Sequence, residues 1–302
     1  MSSHQPTASS FQLSRVVAEL RESREVTHKI RHLGRVRELP SREALEEVLR
    51  EIFAALFPTH YGRSDLTDET IDYFVGNVLS TALNTLSEQV RRGLYFSSNS
   101  NIEEEATFDD LAEKLTTQFA LQLPQIRALI VSDIRAAMNG DPAATSVSEI
   151  LLCYPGVSAA IHYRIAHALY ELGSPLLARF ISEIAHSKTG VDIHPGAKIG
   201  EGFFIDHGTG VVIGQTAILG KNVRLYQAVT LGAKRFPEDD RGILIKGTDR
   251  HPILEDDVVI YAGATVLGRI TIGARSTIGG NVWLTRSVPP DSNISQAQTL
   301  GH

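Results

Sequence analysis

The sequence predicts an α+β protein: an α-helical N-terminal domain followed by a left-handed parallel β-helix of hexapeptide repeats. Two observations carry that reading. Across residues 191–288 aliphatic residues return every six places, and before them the apolar residues fall at helical spacing. Six is neither the 3.6 of an amphipathic helix nor the two of a half-buried strand. It is the period of a coil in which three short flat strands make one triangular turn. Each strand points an aliphatic side chain inward, and small residues or glycine let the corners turn. One coil cannot bury its own interior, so stacked coils supply each other's core.

Residues 1–40 are polar and mixed in charge and read as a flexible or partly helical arm. The helical domain is expected over 41–190. Ser41 caps a helix that gathers Leu45, Val48, Leu49, Ile52 and Leu56 on one face and ends before Pro58. A second helix starts near Thr67 and carries Ile71, Phe74, Val75, Val78, Leu79, Ala82, Leu86 and Val90. SSNSNIEEEA is a connecting loop. Two helices are expected over 108–122 and 124–138, the second with Pro124 at its start, and NGDP at 139–142 is a turn. Three shorter runs follow over 148–153, 157–172 and 174–187, the last two stopped by Gly173 and Gly190 in the left-handed conformation.

The β-helix is expected over 191–290. Its first frame places Ile193, Ile199, Ile205, Val211, Ala217, Val223 and Val229 six apart. The beat returns, shifted, at Leu254, Ile260, Val266, Ile272, Ile278 and Leu284, with Val258, Ala264, Ile270, Ser276, Val282 and Val288 four places after each. Between the frames RFPEDDRGILIKGTDRHP (235–252) breaks the period, so residues 233–252 leave the coil as an excursion loop. Long loops on a rigid scaffold are where binding residues tend to sit. Residues 291–302 form a short C-terminal tail.

At 302 residues the chain can bury two cores, and its 42% apolar and 21% charged content is that of a soluble protein rather than a disordered one. No apolar run approaches the roughly 18 residues of a membrane span, and no apolar signal core follows MSSHQPTASS. A lone cysteine, Cys153, makes no intrachain disulfide, so a cytoplasmic location is expected. The formal charge of −6 argues against a general nucleic-acid binder and leaves room for local basic pockets.

A β-helix supplies shape and no chemistry, so function has to come from residues that break the beat. One break falls at 205–213, where the strict frame reaches Val211 but the stronger Ile–Gly start is Ile213, two residues late. Between them lies Asp206-His207-Gly208-Thr209-Gly210. A histidine among glycines at a register slip is held by the backbone and exposed at a corner. His251, preceded by Arg250, stands at the foot of the excursion, and His194 follows Asp192 in the first coil. Each also has a plain reading as a surface corner or a His–Pro turn. His186, His194, His207 and His251 contain no i, i+4 pair, and one cysteine makes no thiolate cluster, so no metal site is expected. A metal assembled across subunits is the alternative.

GDPAA (140–144), SEILLCYPG…YRIAHALYELG, VDIHPGAKIG, FFIDHGTGVVIG, YQAVTLGA and DRHPILEDDVVIYAGATVLG resemble serine O-acetyltransferase. That hexapeptide-repeat enzyme moves acetyl from acetyl-CoA to L-serine, the first committed step of cysteine synthesis. The resemblance spans roughly residues 130–290, and the first 130 look like the extension of the family's long form. DIHP, DHGTG and DRHP in this order are specific to the family among hexapeptide acyltransferases.

The resemblance implies that His207 takes the proton of the serine hydroxyl during attack on the thioester and returns it to the leaving thiolate. A neutral imidazole, with a reference pKa of about 6.5, suits that task. Asp192 would orient the ring and steady the imidazolium. Asp141 and Asp206 would meet the substrate's amino group, and Arg250 and His251 its carboxylate. Gln215 stands where most relatives have glutamate and would serve the substrate by hydrogen bonding, without charge. Acetyl-CoA is the implied co-substrate, its pantetheine arm in a groove against Gly232, Ala233, Ala262, Gly263 and Gly280, with no metal cofactor. Lys234, Arg235, Lys246, Arg269 and Arg275 are the cations available to its ADP end.

Implied partners are a homotrimer or dimer of trimers, with the groove between adjacent β-helices, and L-cysteine as feedback inhibitor. No nucleic acid or membrane partner is expected. The sequence ends SNISQAQTLGH, in histidine rather than the family's isoleucine, so weak or no tail-mediated binding to cysteine synthase is expected. The competing readings are acetylation of another small hydroxyl acceptor, such as a sugar or antibiotic, and a trimeric metal-dependent β-helix hydratase or scaffold.

Overall fold

A computed structural model describes residues 8–27, 31–32, 35–36, 38–97 and 102–296. Parts of the expected arm and of the SSNSNIEEEA loop, and residues 297–302 of the tail, lie outside the described residues. The arm contains one 20-residue helix, α1 (Ala8–Thr27), and a two-stranded ribbon of β1 (Arg31–His32) and β2 (Arg35–Val36). The helical part then runs through α2 (Arg42–Leu56), α3 (Pro58–Tyr61), α4 (Ile71–Ser97), α5 (Ile102–Gly140), α6 (Val147–Cys153), α7 (Pro155–Glu171) and α8 (Pro175–Thr189). Ser41 caps α2 by accepting from the Ala44 N–H at 3.2 Å, and the five apolar residues assigned to that helix face are buried. Gly190 ends α8 at φ +70°.

The two helices expected either side of Pro124 are one 39-residue helix, α5, with the proline inside it. The physical reason is the apolar stripe. Leu115, Phe119, Leu123, Ile126, Ile130 and Ile134 recur three or four apart straight through the proline and are all buried. Pro124 itself is exposed, so the lost N–H and the local clash fall on the solvent side, where a helix bends most readily.

Residues 192–294 form the β-helix, with three parallel sheets as the faces of a prism. Face one stacks β3 (Asp192–Ile193), β6 (Val212–Ile213), β9 (Thr230–Gly232), β12 (Thr265–Leu267) and β15 (Trp283–Leu284). Face two stacks β4 (Lys198–Ile199), β7 (Ile218–Leu219), β10 (Ile253–Leu254) and β13 (Thr271–Ile272). Face three stacks β5 (Phe204–Ile205), β8 (Arg224–Leu225), β11 (Val259–Ile260), β14 (Thr277–Ile278) and β16 (Asn293–Ile294). The aliphatic residues of both hexapeptide frames line the interior, with Ile270 partly buried among them.

Pairing registers locate the breaks. Partners on successive coils lie 18 residues apart where the hexapeptides are unbroken, as in Val212↔Thr230 and Val259↔Thr277. Across the His207 corner the separation is 20, Ile193↔Ile213, so two residues are inserted there. Across the excursion it is 35, Ile218↔Ile253. After the slip Ile213, Leu219, Leu225 and Leu231 take over the inward strand position, and Val211, Ala217, Val223 and Val229 stay buried two residues earlier.

The helices dock on the first coil through a buried polar joint. Arg164 of α7 pairs with Asp133 of α5 through two hydrogen bonds of 3.0 Å and also donates to the carbonyls of Ile199 (2.6 Å) and Gly200 (2.5 Å). Asp133 in turn accepts from the Phe203 N–H at 2.8 Å. Tyr163 donates to the Ala197 carbonyl at 2.7 Å. No described helix is long and apolar enough to cross a membrane.

Candidate active site

The candidate residues fall on two edges of the prism that bound face one. The first edge joins face three to face one. Its uppermost corner carries Asp206 and His207, and Ala262, Gly263 and Gly280 lie on corners below. The second edge joins face one to face two and carries His194, Gln215, Gly232, Ala233, Arg250 and His251.

On the first edge the two inserted residues force a tight corner. His207 sits at φ +59°, followed by Gly208 at +98° and Gly210 at +79°. A left-handed conformation at a non-glycine costs about 1 kcal/mol, which the surrounding ladder has to offset. The result is an imidazole 70% exposed, with Nε2 3.8 Å from Asp206 Oδ1. Asp141, at the end of α5, belongs to the same cluster. It accepts from the Tyr154 hydroxyl and from the Ala143 N–H at 2.8 Å. The Tyr154 bond holds its carboxyl below the usual range, with lesser help from His207 and Arg224. The same bond pushes Tyr154 up to about 12, with Asp206 among the smaller contributors. Two carboxylates and an imidazole thus share one corner, with Tyr154 as a partner that sequence reasoning missed.

Asp192 does not pair with His207 in this conformation, and the only carboxylate within 4.0 Å of that ring among the described residues is Asp206. Asp192 instead has a carboxylate oxygen within 4.8 Å of Glu183 and His186, at the end of α8. Glu183 is already engaged by Arg179 and His186. The His207 corner nonetheless runs directly below Asp192, because the Gly210 N–H donates to the Gly190 carbonyl at 2.8 Å and Gly208 lies against Val191.

The second edge is organised by Thr216. Its hydroxyl accepts from the N–H groups of Arg250 (2.9 Å) and His251 (3.2 Å), and its own N–H donates to His251 Nδ1 at 3.1 Å. A backbone N–H can only donate, so Nδ1 is unprotonated and the neutral ring carries its proton on Nε2. Burial, then the charges of Arg250 and Arg269, depress His251 to about 4, so the ring is neutral at physiological pH. Gly214 is in van der Waals contact with that ring and has no room for a Cβ, which would come within 2.0 Å of it. Gln215 bridges the Arg250 guanidinium (3.0 Å) and the Tyr170 hydroxyl (3.2 Å). Tyr170 in turn packs edge-on against His194, whose ring burial also holds near 4.

The five cations named for an anionic ligand are not equivalent. Lys234, Arg235 and Arg269 line one cavity of about 330 Å³ together with Arg250. Arg275 is held by both oxygens of Asp291 at 2.8 Å, and Lys246 is on the exposed part of the excursion.

A left-handed hexapeptide coil, a corner imidazole flanked by carboxylates and an edge that carries the Arg250 guanidinium define an acyltransferase of the hexapeptide-repeat class. The model for bacterial transferase hexapeptide (six repeats) matches residues 251–286. A plasmid-encoded serine acetyltransferase of Synechococcus elongatus is 60% identical over 263 residues, covering 86% of this chain and 82% of that protein. The crystal structure of Entamoeba histolytica serine acetyltransferase 1 in complex with L-cysteine superposes with a TM-score of 0.71 at 34% identity, covering 93% of this chain and 97% of that one. Soybean serine acetyltransferase complexed with serine gives 0.53 at 32% identity, covering 84% and 96%. The chain belongs to the serine acetyltransferase family.

Proposed function

We propose that the chain transfers the acetyl group of acetyl-CoA to the hydroxyl of L-serine, giving O-acetyl-L-serine and CoA, with His207 as general base. The observation that carries this reading is the exposed imidazole held by backbone geometry beside Asp206 and Asp141. The serine ammonium suits those two carboxylates. Its carboxylate suits the Arg250 fork and the Nε2–H of His251. His207 accepts the hydroxyl proton as the serine oxygen attacks the thioester carbonyl. The tetrahedral intermediate then expels the CoA thiolate, which takes the proton back from the imidazolium. Asp192 is the orienting carboxylate, reached when the exposed ring turns from Asp206 toward the strand above it.

Topology supports assembly of the site from two copies. His207, Asp206 and Asp141 stand at one edge of face one and Arg250 and His251 at the other. When the first edge of one copy meets the second edge of the next, both halves of the site come together. Closing that head-to-tail contact with threefold rotation gives a trimer with face one, where Trp283 is 65% exposed, toward the axis. The groove between copies is walled by Ala262, Gly263 and Gly280 on one side and Gly232 and Ala233 on the other, which lets the pantetheine arm of acetyl-CoA approach the backbone. Lys234, Arg235 and Arg269 serve its anionic end. L-cysteine carries the same ammonium and carboxylate as L-serine and is read as a competing inhibitor, in keeping with the Entamoeba neighbour that holds it.

Thiol release from acetyl-CoA, measured with L-serine and with other small alcohols at equal concentration, tests the acceptor. L-serine is expected to dominate, and a sugar or amino alcohol used equally well would overturn the assignment. His207→Ala is expected to lose at least about 100-fold in kcat with assembly intact, the usual scale for a general base. Near-normal turnover would remove His207 from that role.

A further inference from the structure

The hydrogen bonds around Gln215 admit one assignment. A guanidinium only donates, so the Gln215 atom 3.0 Å from Arg250 Nη2 is the amide oxygen. The amide nitrogen then faces the Tyr170 hydroxyl at 3.2 Å, and it too only donates. The Tyr170 oxygen is therefore the acceptor, and its own proton is free to point elsewhere. Tyr170 lies one carboxamide away from the guanidinium.

Arg250 is also short of counter-charge. The guanidinium's other hydrogen bond runs from Nη1 to the Thr248 carbonyl at 3.2 Å, and no carboxylate among the described residues pairs with it, Asp249 being turned to Arg269 at 3.4 Å. The neighbouring rings of His194 and His251 are neutral and offer no negative charge. A glutamate at 215 would be isosteric with the amide and would reverse both features, pairing with the Arg250 charge and drawing the Tyr170 proton to itself.

We propose that Gln215 is a positioning residue that keeps the Arg250 charge unpaired and the Tyr170 hydroxyl proton free, so that both act on the carboxylate of the amino-acid ligand. Tyr170 becomes a further donor in the site, and residue 215 sets how strongly the site selects ligands by that carboxylate. The inference rests on the reading above that Arg250 meets the carboxylate.

Steady-state kinetics on the full chain test it, with L-serine as substrate and L-serinamide, in which a neutral amide replaces the carboxylate, as competing ligand. Gln215→Glu is expected to raise the KM for L-serine about tenfold, the scale of one added charge beside an anion, and to shift the inhibition constant of L-serinamide less than about twofold. Tyr170→Phe is expected to raise the KM for L-serine about threefold with the same selectivity. Gln215→Leu, which removes both hydrogen bonds and adds no charge, should raise it less than Gln215→Glu. A purely structural defect would weaken both ligands alike, and that result overturns the proposal. Arg250→Ala separates the two levels. If it raises the KM for L-serine while Gln215→Glu leaves it unchanged, the proposal fails and the carboxylate reading stands. If Arg250→Ala leaves that KM unchanged, the carboxylate reading fails and takes the proposal with it.

Discussion

At Gly214 a side chain has nowhere to go, because a Cβ would meet the His251 ring at 2.0 Å. Alanine there has to displace the imidazole from Thr216, and with it the Nε2–H that the proposed function gives to the substrate carboxylate. Gly214→Ala is expected to raise the KM for L-serine by about an order of magnitude or more, read in the same thiol-release assay. An unchanged KM would mean that His251 does not touch the substrate. His207 was legible in the sequence because it interrupts a regular pattern, and a two-residue insertion in a six-residue beat has to make a corner. Thr216, Tyr154 and Tyr170 were not legible. They interrupt nothing, and each becomes part of the site only through a contact made in three dimensions, Thr216 to His251 across 35 residues and Tyr154 to Asp141 across 13.

Among the elements, α5 shows a local rule yielding to a longer one. Proline at 124 reads as a helix start, but six buried residues on one stripe, either side of it, keep a single helix running to Gly140. That continuity matters to the site. The same helix carries Asp133 into the joint with Arg164, and its end delivers Asp141 to the His207 corner. Asp133 and Arg164 are 1% and 3% exposed, so removing either leaves the other charge buried and unpaired. Asp133→Ala or Arg164→Ala is expected to cost roughly 3–5 kcal/mol in thermal or denaturant unfolding. A loss below about 1 kcal/mol would show that apolar packing between α7 and the first coil holds the two parts together without the pair.

For the whole molecule the decisive feature is that the residues of the proposed site occupy two different edges of one prism. If neighbouring copies complete each other, a His207→Ala chain and an Arg250→Ala chain, each nearly inactive alone, should recover activity when unfolded and reassembled together. Random mixing puts an intact His207 edge against an intact Arg250 edge in roughly a quarter of contacts, so about a quarter of the unsubstituted activity is expected. Recovery no greater than the sum of the two separate activities would place the whole site on one chain. The sequence by itself determined the coil, because a buried aliphatic position every six residues is satisfied by one backbone path, and it also marked where the chain leaves that path. It named most of the residues that line the two edges. Only the tertiary structure decided how those residues are shared between edges, which hydrogen bonds lock Gln215 and His251, and that Asp192 stands apart from His207 in this conformation. The physical reason is that a period specifies which side chains point inward, whereas the partners of an outward side chain depend on how coils and helices stack around it.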